Sequence, residues 1–160
     1  FNSFEADTMD HATYGVKVLF EEGMIRQFIE EDTWDDVIRT AIAKHSDYEL
    51  TGITDERTLL HARLIRDADK LDNCRVKLED AMETLLDLSA DEVGKYAISP
   101  KVREDAFAGK CICSKDRRTP MDYWVSYVAY FYDLNFQETL DIVAEEQYVK
   151  RIIGRVPYTN

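Results

Sequence analysis

Leu59-Leu60-His61-Ala62-Arg63-Leu64-Ile65-Arg66-Asp67-Ala68-Asp69-Lys70-Leu71-Asp72-Asn73-Cys74-Arg75-Val76 joins the spacing of a core helix to an unusual density of carboxylates. Leu60, Leu64, Ala68 and Leu71 recur at intervals of three and four, which predicts one apolar α-helical stripe turned inward. Asp69 follows Ala68 and stands four positions beyond Ile65, so its carboxylate is expected at the edge of the buried face. A charge withdrawn from water needs a counter-charge, a metal ion or strong donors beside it. Pairing of Asp67, Asp69 and Asp72 with Arg66, Lys70 and Arg75 is the plainest way to meet that need.

Outward from this stretch the chain reads as helices separated by short loops. Thr54, Asp55 and Glu56 open the central helix, and Val76, Leu78, Met82, Leu85, Leu86 and Leu88 prolong its pattern past a junction near Asn73 until Ser89. Upstream, Thr33 and Asp36 form a capping-box pattern. Trp34, Val37, Ile38, Ala41, Ile42 and His45 then fall on one helical face, with the His45 ring placed to satisfy a free carbonyl at the helix end. Asp10 is the expected N-cap of a first helix that carries His11 in its opening turn and is interrupted or ended at Gly23. The opening Phe1-Asn2-Ser3-Phe4 has no helix start of its own. Downstream, Ser99-Pro100 and Thr119-Pro120 each read as a cap followed by proline in the first turn, and Gly109 as a stop. Between them Lys110, Lys115, Arg117 and Arg118 form a basic cluster on a polar loop; solvation is its first role and holding a phosphate its second. The aromatic-rich segment from Met121 to Leu134 is expected to be largely buried, and a last helix runs from Phe136 to Gly154 and Pro157.

The expectation is therefore an all-α helical bundle in which residues 1–160 form one domain, the helices from about 119 included. Twenty Lys and Arg against 32 Asp and Glu give a net charge of -12, which opposes binding to duplex nucleic acid or an anionic membrane. A small anion stays compatible with that charge, because a bound divalent cation dominates its local field. No apolar run reaches the length of a membrane span, and Cys74, Cys111 and Cys113 form no Cys-x-x-Cys pair. A cytoplasmic setting is the expectation that follows.

Ala68-Asp69-Lys70-Leu71-Asp72-Asn73 resembles the last motif of the HD-domain metal-dependent phosphohydrolases, Ala-Asp-(Arg/Lys)-Leu, and in the same way the hydrolase half of the bifunctional guanosine tetraphosphate enzymes. His11-Ala12-Thr13-Tyr14-Gly15 is similar to the family's His-x-x-x-Gly element, where glycine would admit a neighbouring helix. The segment from Ile38 through Ile42 to His45 is similar to its Ile-x-x-x-Ile-x-x-His helix. The resemblance implies an HD-like fold with Asp69 as metal ligand. It implies His11 and His45 as catalytic residues that contact substrate phosphate or a second metal, and Lys70 as a substrate-binding cation. Asp69 is then expected to face a cavity shared with the two imidazoles. The implied cofactor is a divalent ion, Mn²⁺, Mg²⁺, Fe²⁺ or Zn²⁺, weakly held by this chain alone, and the implied partner a phosphorylated small molecule, with homo-oligomer formation left open.

The family's defining His-Asp dipeptide is absent, since none of His11, His45 and His61 is followed by Asp. Its expected position lies before His11, so the chain reads as N-terminally incomplete. His61 is expected to be structural. The competing expectation is a non-catalytic HD-like helical module for ligand sensing or protein association, because a fold alone does not decide activity.

Overall fold

The computed structural model describes residues 10–157, so the Phe1 to Phe4 opening lies outside the described residues. Among these residues every regular element is helical and no strand is present. The chain divides at Arg66 and Asp67 into two compact units.

In the first unit, α1 (His11–Val16) runs into a π-helical turn, Lys17–Glu21, and a 3₁₀ turn, Met24–Gln27, before α2 (Asp35–Lys44). Asp10 caps α1, its carboxylate accepting from the Thr13 N–H at 3.3 Å. Gly23 separates the two turns with a φ of 77°, a conformation in which a side chain is strained. The expected Thr33 cap is not formed: Trp34 is the N-cap of α2, with no side-chain cap hydrogen bond, and Asp35 and Asp36 supply acidic residues to the first turn. A Cβ at Gly15 would lie 3.5 Å from the Ile42 Cγ2, an ordinary contact, so the meeting of helices there does not require glycine. Gly15→Ala is accordingly expected to raise stability by about 0.5 kcal/mol through its effect on the unfolded chain, measured by urea unfolding. A loss would show that the two backbones are closer than this spacing allows.

The central helix α3 (Glu56–Glu79) continues without a break past Asn73. Its start is set by Asp55, whose carboxylate accepts from the Thr58 N–H and hydroxyl, both at 2.7 Å. The expected leucine stripe is on the wrong side. Leu60 and Leu64 are 53% and 54% exposed, Ala68 is exposed, and Leu71 is only half-buried. Thr58, Ala62, Arg66, Lys70 and Cys74, one position in four, are buried instead, with Asp67 beside them.

Partners explain the inversion. In the first unit the Arg66 guanidinium donates to the carbonyls of His45 at 2.9 Å, Tyr48 at 2.9 Å and Asp47, which ties the loop after α2 to α3. In the second unit Lys70 donates to the side chain and carbonyl of Asp133. Long side chains whose heads find oxygen can be buried where leucine finds no hydrocarbon to face.

The second unit continues with α4 (Met82–Leu86), α5 (Ala90–Val93), α6 (Pro100–Phe107), α7 (Pro120–Ala129), a 3₁₀ turn over Tyr130–Asp133, α8 (Gln137–Glu145) and α9 (Tyr148–Ile153). Ser89 does not end a helix; it opens α5 in a capping box with Glu92. Both expected proline starts are present, and Gly109 follows α6 with a φ of 67°. The last segment is two helices, because Gln147 adopts a left-handed φ of 51° between them. Cys74, Met82, Val93, Met121, Trp124, Ile152 and Val156 make the main core, and Trp124 Nε1 donates to the Ile152 carbonyl at 3.1 Å. Burial pushes the Cys74 thiol up to about 11, so it packs as an unreactive apolar group. Gly94 is required at its position, since a Cβ would collide with the Pro157 carbonyl.

Candidate functional site

His11 in the first turn of α1 and His45 just past α2 are 34 residues apart, yet their Nε2 atoms lie 3.0 Å from each other. The rings meet edge to face, with centroids 5.0 Å apart at 64°. The expected capping role of His45 is present as well: its Nδ1 lies 2.7 Å from the Ile42 carbonyl, and since a carbonyl only accepts, Nδ1 carries hydrogen. His45 Nε2 in a neutral ring is therefore a lone pair. On the other side, His11 Nδ1 lies 3.5 Å from an Asp10 carboxylate oxygen, which favours hydrogen on that nitrogen too. With hydrogen on His11 Nε2 the neutral rings share an N–H···N hydrogen bond; with it on Nδ1, toward Asp10, two lone pairs face one spot and a proton or a cation between them relieves the repulsion.

That donor set fits a borderline divalent ion. Two imidazole nitrogens each about 2.1 Å from one ion are separated by roughly this span, and an oxygen on the far nitrogen of each ring is the usual orienting partner. Among the described residues, no group of three or more His, Cys, Asp and Glu side chains is arranged to hold a metal ion.

Asp69 belongs to the second unit, where it is half-buried and its carboxylate accepts from the Asn73 amide at 3.3 Å. The Tyr130 hydroxyl is held above its ordinary range chiefly by burial; Arg117 pulls the other way and the negative charge of Asp69 adds to the rise. Lys70 is 8% exposed and committed to Asp133. His61 is exposed.

Sequence reasoning missed an aromatic ladder on α7 and the turn after it. Tyr127 meets Trp124 at 5.8 Å and Tyr130 at 5.9 Å between ring centroids. The Lys77 ammonium stands 4.4 Å over the Tyr127 ring and the Arg117 guanidinium 4.4 Å over Tyr123. The i, i+4 and i+3 spacing of Tyr123, Tyr127 and Tyr130 was the available signal, but nothing local in sequence places Lys77 against it.

In comparison with known proteins, the chain matches no family model, no curated protein and no solved structure.

Proposed function

We propose that the protein is a metal-dependent phosphohydrolase of the HD type, acting on a phosphomonoester, nucleotide or related phosphate compound. The observation that carries this is the pair of imidazole nitrogens 3.0 Å apart, one from each His-bearing helix picked out by the resemblance. Asp69 would hold the metal, and His11 and His45 would hold substrate phosphate or a second ion. Such an ion, when bound, supplies a water acidic enough to attack phosphorus at neutral pH. Asp10 and the Ile42 carbonyl orient the two rings, while Lys70 would have to leave Asp133 to meet a substrate phosphate. A second reading, a helical partner-binding module, is favoured by apolar side chains exposed in the first unit, with Phe28 at 72% and Leu64 at 54%.

Hydrolysis of a panel of phosphomonoesters by the full-length protein carrying this chain separates the two. With Mn²⁺ present, His11→Ala, His45→Ala and Asp69→Ala are each expected to lower kcat/KM by about 10²-fold or more, in the range of a lost acid–base or electrostatic contact. Chelation should abolish turnover and Mn²⁺ restore it. No turnover of any ester by the parent with Mn²⁺ present would refute the phosphohydrolase and leave the partner-binding module, while unchanged metal content and turnover in all three variants would refute the roles given to His11, His45 and Asp69.

A further inference from the structure

Among the described residues of the second unit, the cations at least half withdrawn from solvent are Lys70, Lys77, Arg117 and Arg155. Two of them have firm oxygen partners: Lys70 donates to Asp133, and Arg155 to the Lys77 carbonyl. Arg117 reaches only the Ser114 carbonyl and the Ser126 hydroxyl, both at 3.4 Å, and stacks on Tyr123. Lys77 has no carboxylate within ion-pair distance and rests on the Tyr127 face. Burial holds its ammonium below the ordinary lysine range against the opposing pull of Asp80 and Asp69. Tyr123 and Tyr127 stand one turn apart on α7, so the two cations occupy neighbouring rungs of the ladder, and burial pushes the Tyr127 hydroxyl up to about 12.

In a chain of net charge -12, carboxylates to neutralise these two cations are plentiful, yet both are kept half-buried on an aromatic ladder without one. Cation–π contact offsets part of the desolvation, and a bound anion would offset the rest. The ladder itself is partly open: the Tyr130 hydroxyl makes no hydrogen bond and is not a fully buried group. We infer that Lys77 and Arg117, carried on Tyr123 and Tyr127, form an anion-binding site for a phosphate group. Planar Arg117 offers a fork of donors to phosphate oxygens and Lys77 a point charge, a pairing suited to a tetrahedral dianion. Tyr130 adds a hydroxyl donor. The choice of phosphate over other anions rests on the phosphohydrolase reading; the existence of the site does not.

Trp124 packs on Tyr127, so its fluorescence reports the ladder. The full chain is titrated with inorganic phosphate in the presence of EDTA, then with a nucleoside 5′-monophosphate, and then with sulfate. Saturable quenching by phosphate is expected. Arg117→Gln and Lys77→Met should each raise the Kd at least tenfold, with the double variant showing no saturation. Tighter binding of the nucleotide than of phosphate would assign the site to an ester, and the reverse to the free ion. Because EDTA removes any metal, failure of hydrolysis leaves this result intact, and failure here leaves hydrolysis intact. Thermal melting guards against misfolding: both variants are expected to melt no lower than the parent, since each removes an uncompensated charge. Phosphate affinity unchanged in both variants, no binding by the parent, or a lowered melting temperature showing the cations to be structural would each overturn the site.

Discussion

Asp122→Ala is expected to destabilise the protein by about 4 kcal/mol, at the upper end of what a single substitution does, because it empties a fully buried acceptor serving several donors. The Asp122 carboxylate accepts from the Ser99 hydroxyl at 2.6 Å, the Ser99 N–H at 2.8 Å, the Arg118 N–H at 2.8 Å and the Thr119 N–H at 3.0 Å, with none of the residue exposed. One side chain thereby fastens the N-terminus of α6 to that of α7. Burial alone would raise its pKa, but the donors from Ser99, Arg118 and Thr119 outweigh that and hold it below 3.8. With a folded value below the unfolded one, the carboxylate stabilises the protein above about pH 4, and that contribution is lost as pH falls through the depressed folded value. Asp122→Asn should remove this part of the acid dependence. Urea midpoints at pH 7 and pH 3 make the comparison. Equal acid sensitivity in Asp122→Asn and the parent would assign the effect to other carboxylates.

For Asp67→Ala the expected loss is about 3 kcal/mol. Asp67 is 2% exposed and accepts from the Asn135 N–H at 3.0 and 3.1 Å, the Asn135 amide at 2.7 Å and the Phe136 N–H at 3.1 Å. Those donors lie in the turn just before α8 (Gln137–Glu145), so α3 fixes the chain's entry into a helix about seventy residues further along. Asp67→Asn keeps one acceptor oxygen but turns an amide donor toward these N–H groups, and should retain about half of the lost stability. Hydrogen exchange at Asn135 and Phe136 is expected to accelerate in both variants. A change under 1 kcal/mol with unaltered exchange would mean that water replaces the carboxylate at no loss.

What was legible beforehand was local. Asp10, Ser99-Pro100, Thr119-Pro120, Gly23 and Gly109 act within a few residues of themselves, and each sits where its own chemistry predicts. Leu60 and Leu64 misled because counting apolar positions assumes that the buried side of a helix is the greasy one. Arg66 and Lys70 are buried instead on oxygens 21 and 63 residues away, and no periodicity carries that information. For the candidate site, His11 and His45 were each marked by a short motif, and they stand within 3.0 Å. Lys77 and Arg117 were invisible as a pair, since their shared feature is an absent carboxylate rather than a pattern.

A helix inserted along a seam of threonine, arginine and lysine removes less hydrocarbon from water than one of its 24 residues would with leucine there. The heat-capacity increment of unfolding follows apolar exposure and is reduced by polar exposure. Calorimetry should therefore find it below about 12 cal/mol/K per residue, the low end of the common range. The stability curve would be correspondingly shallow, with little penalty on cooling.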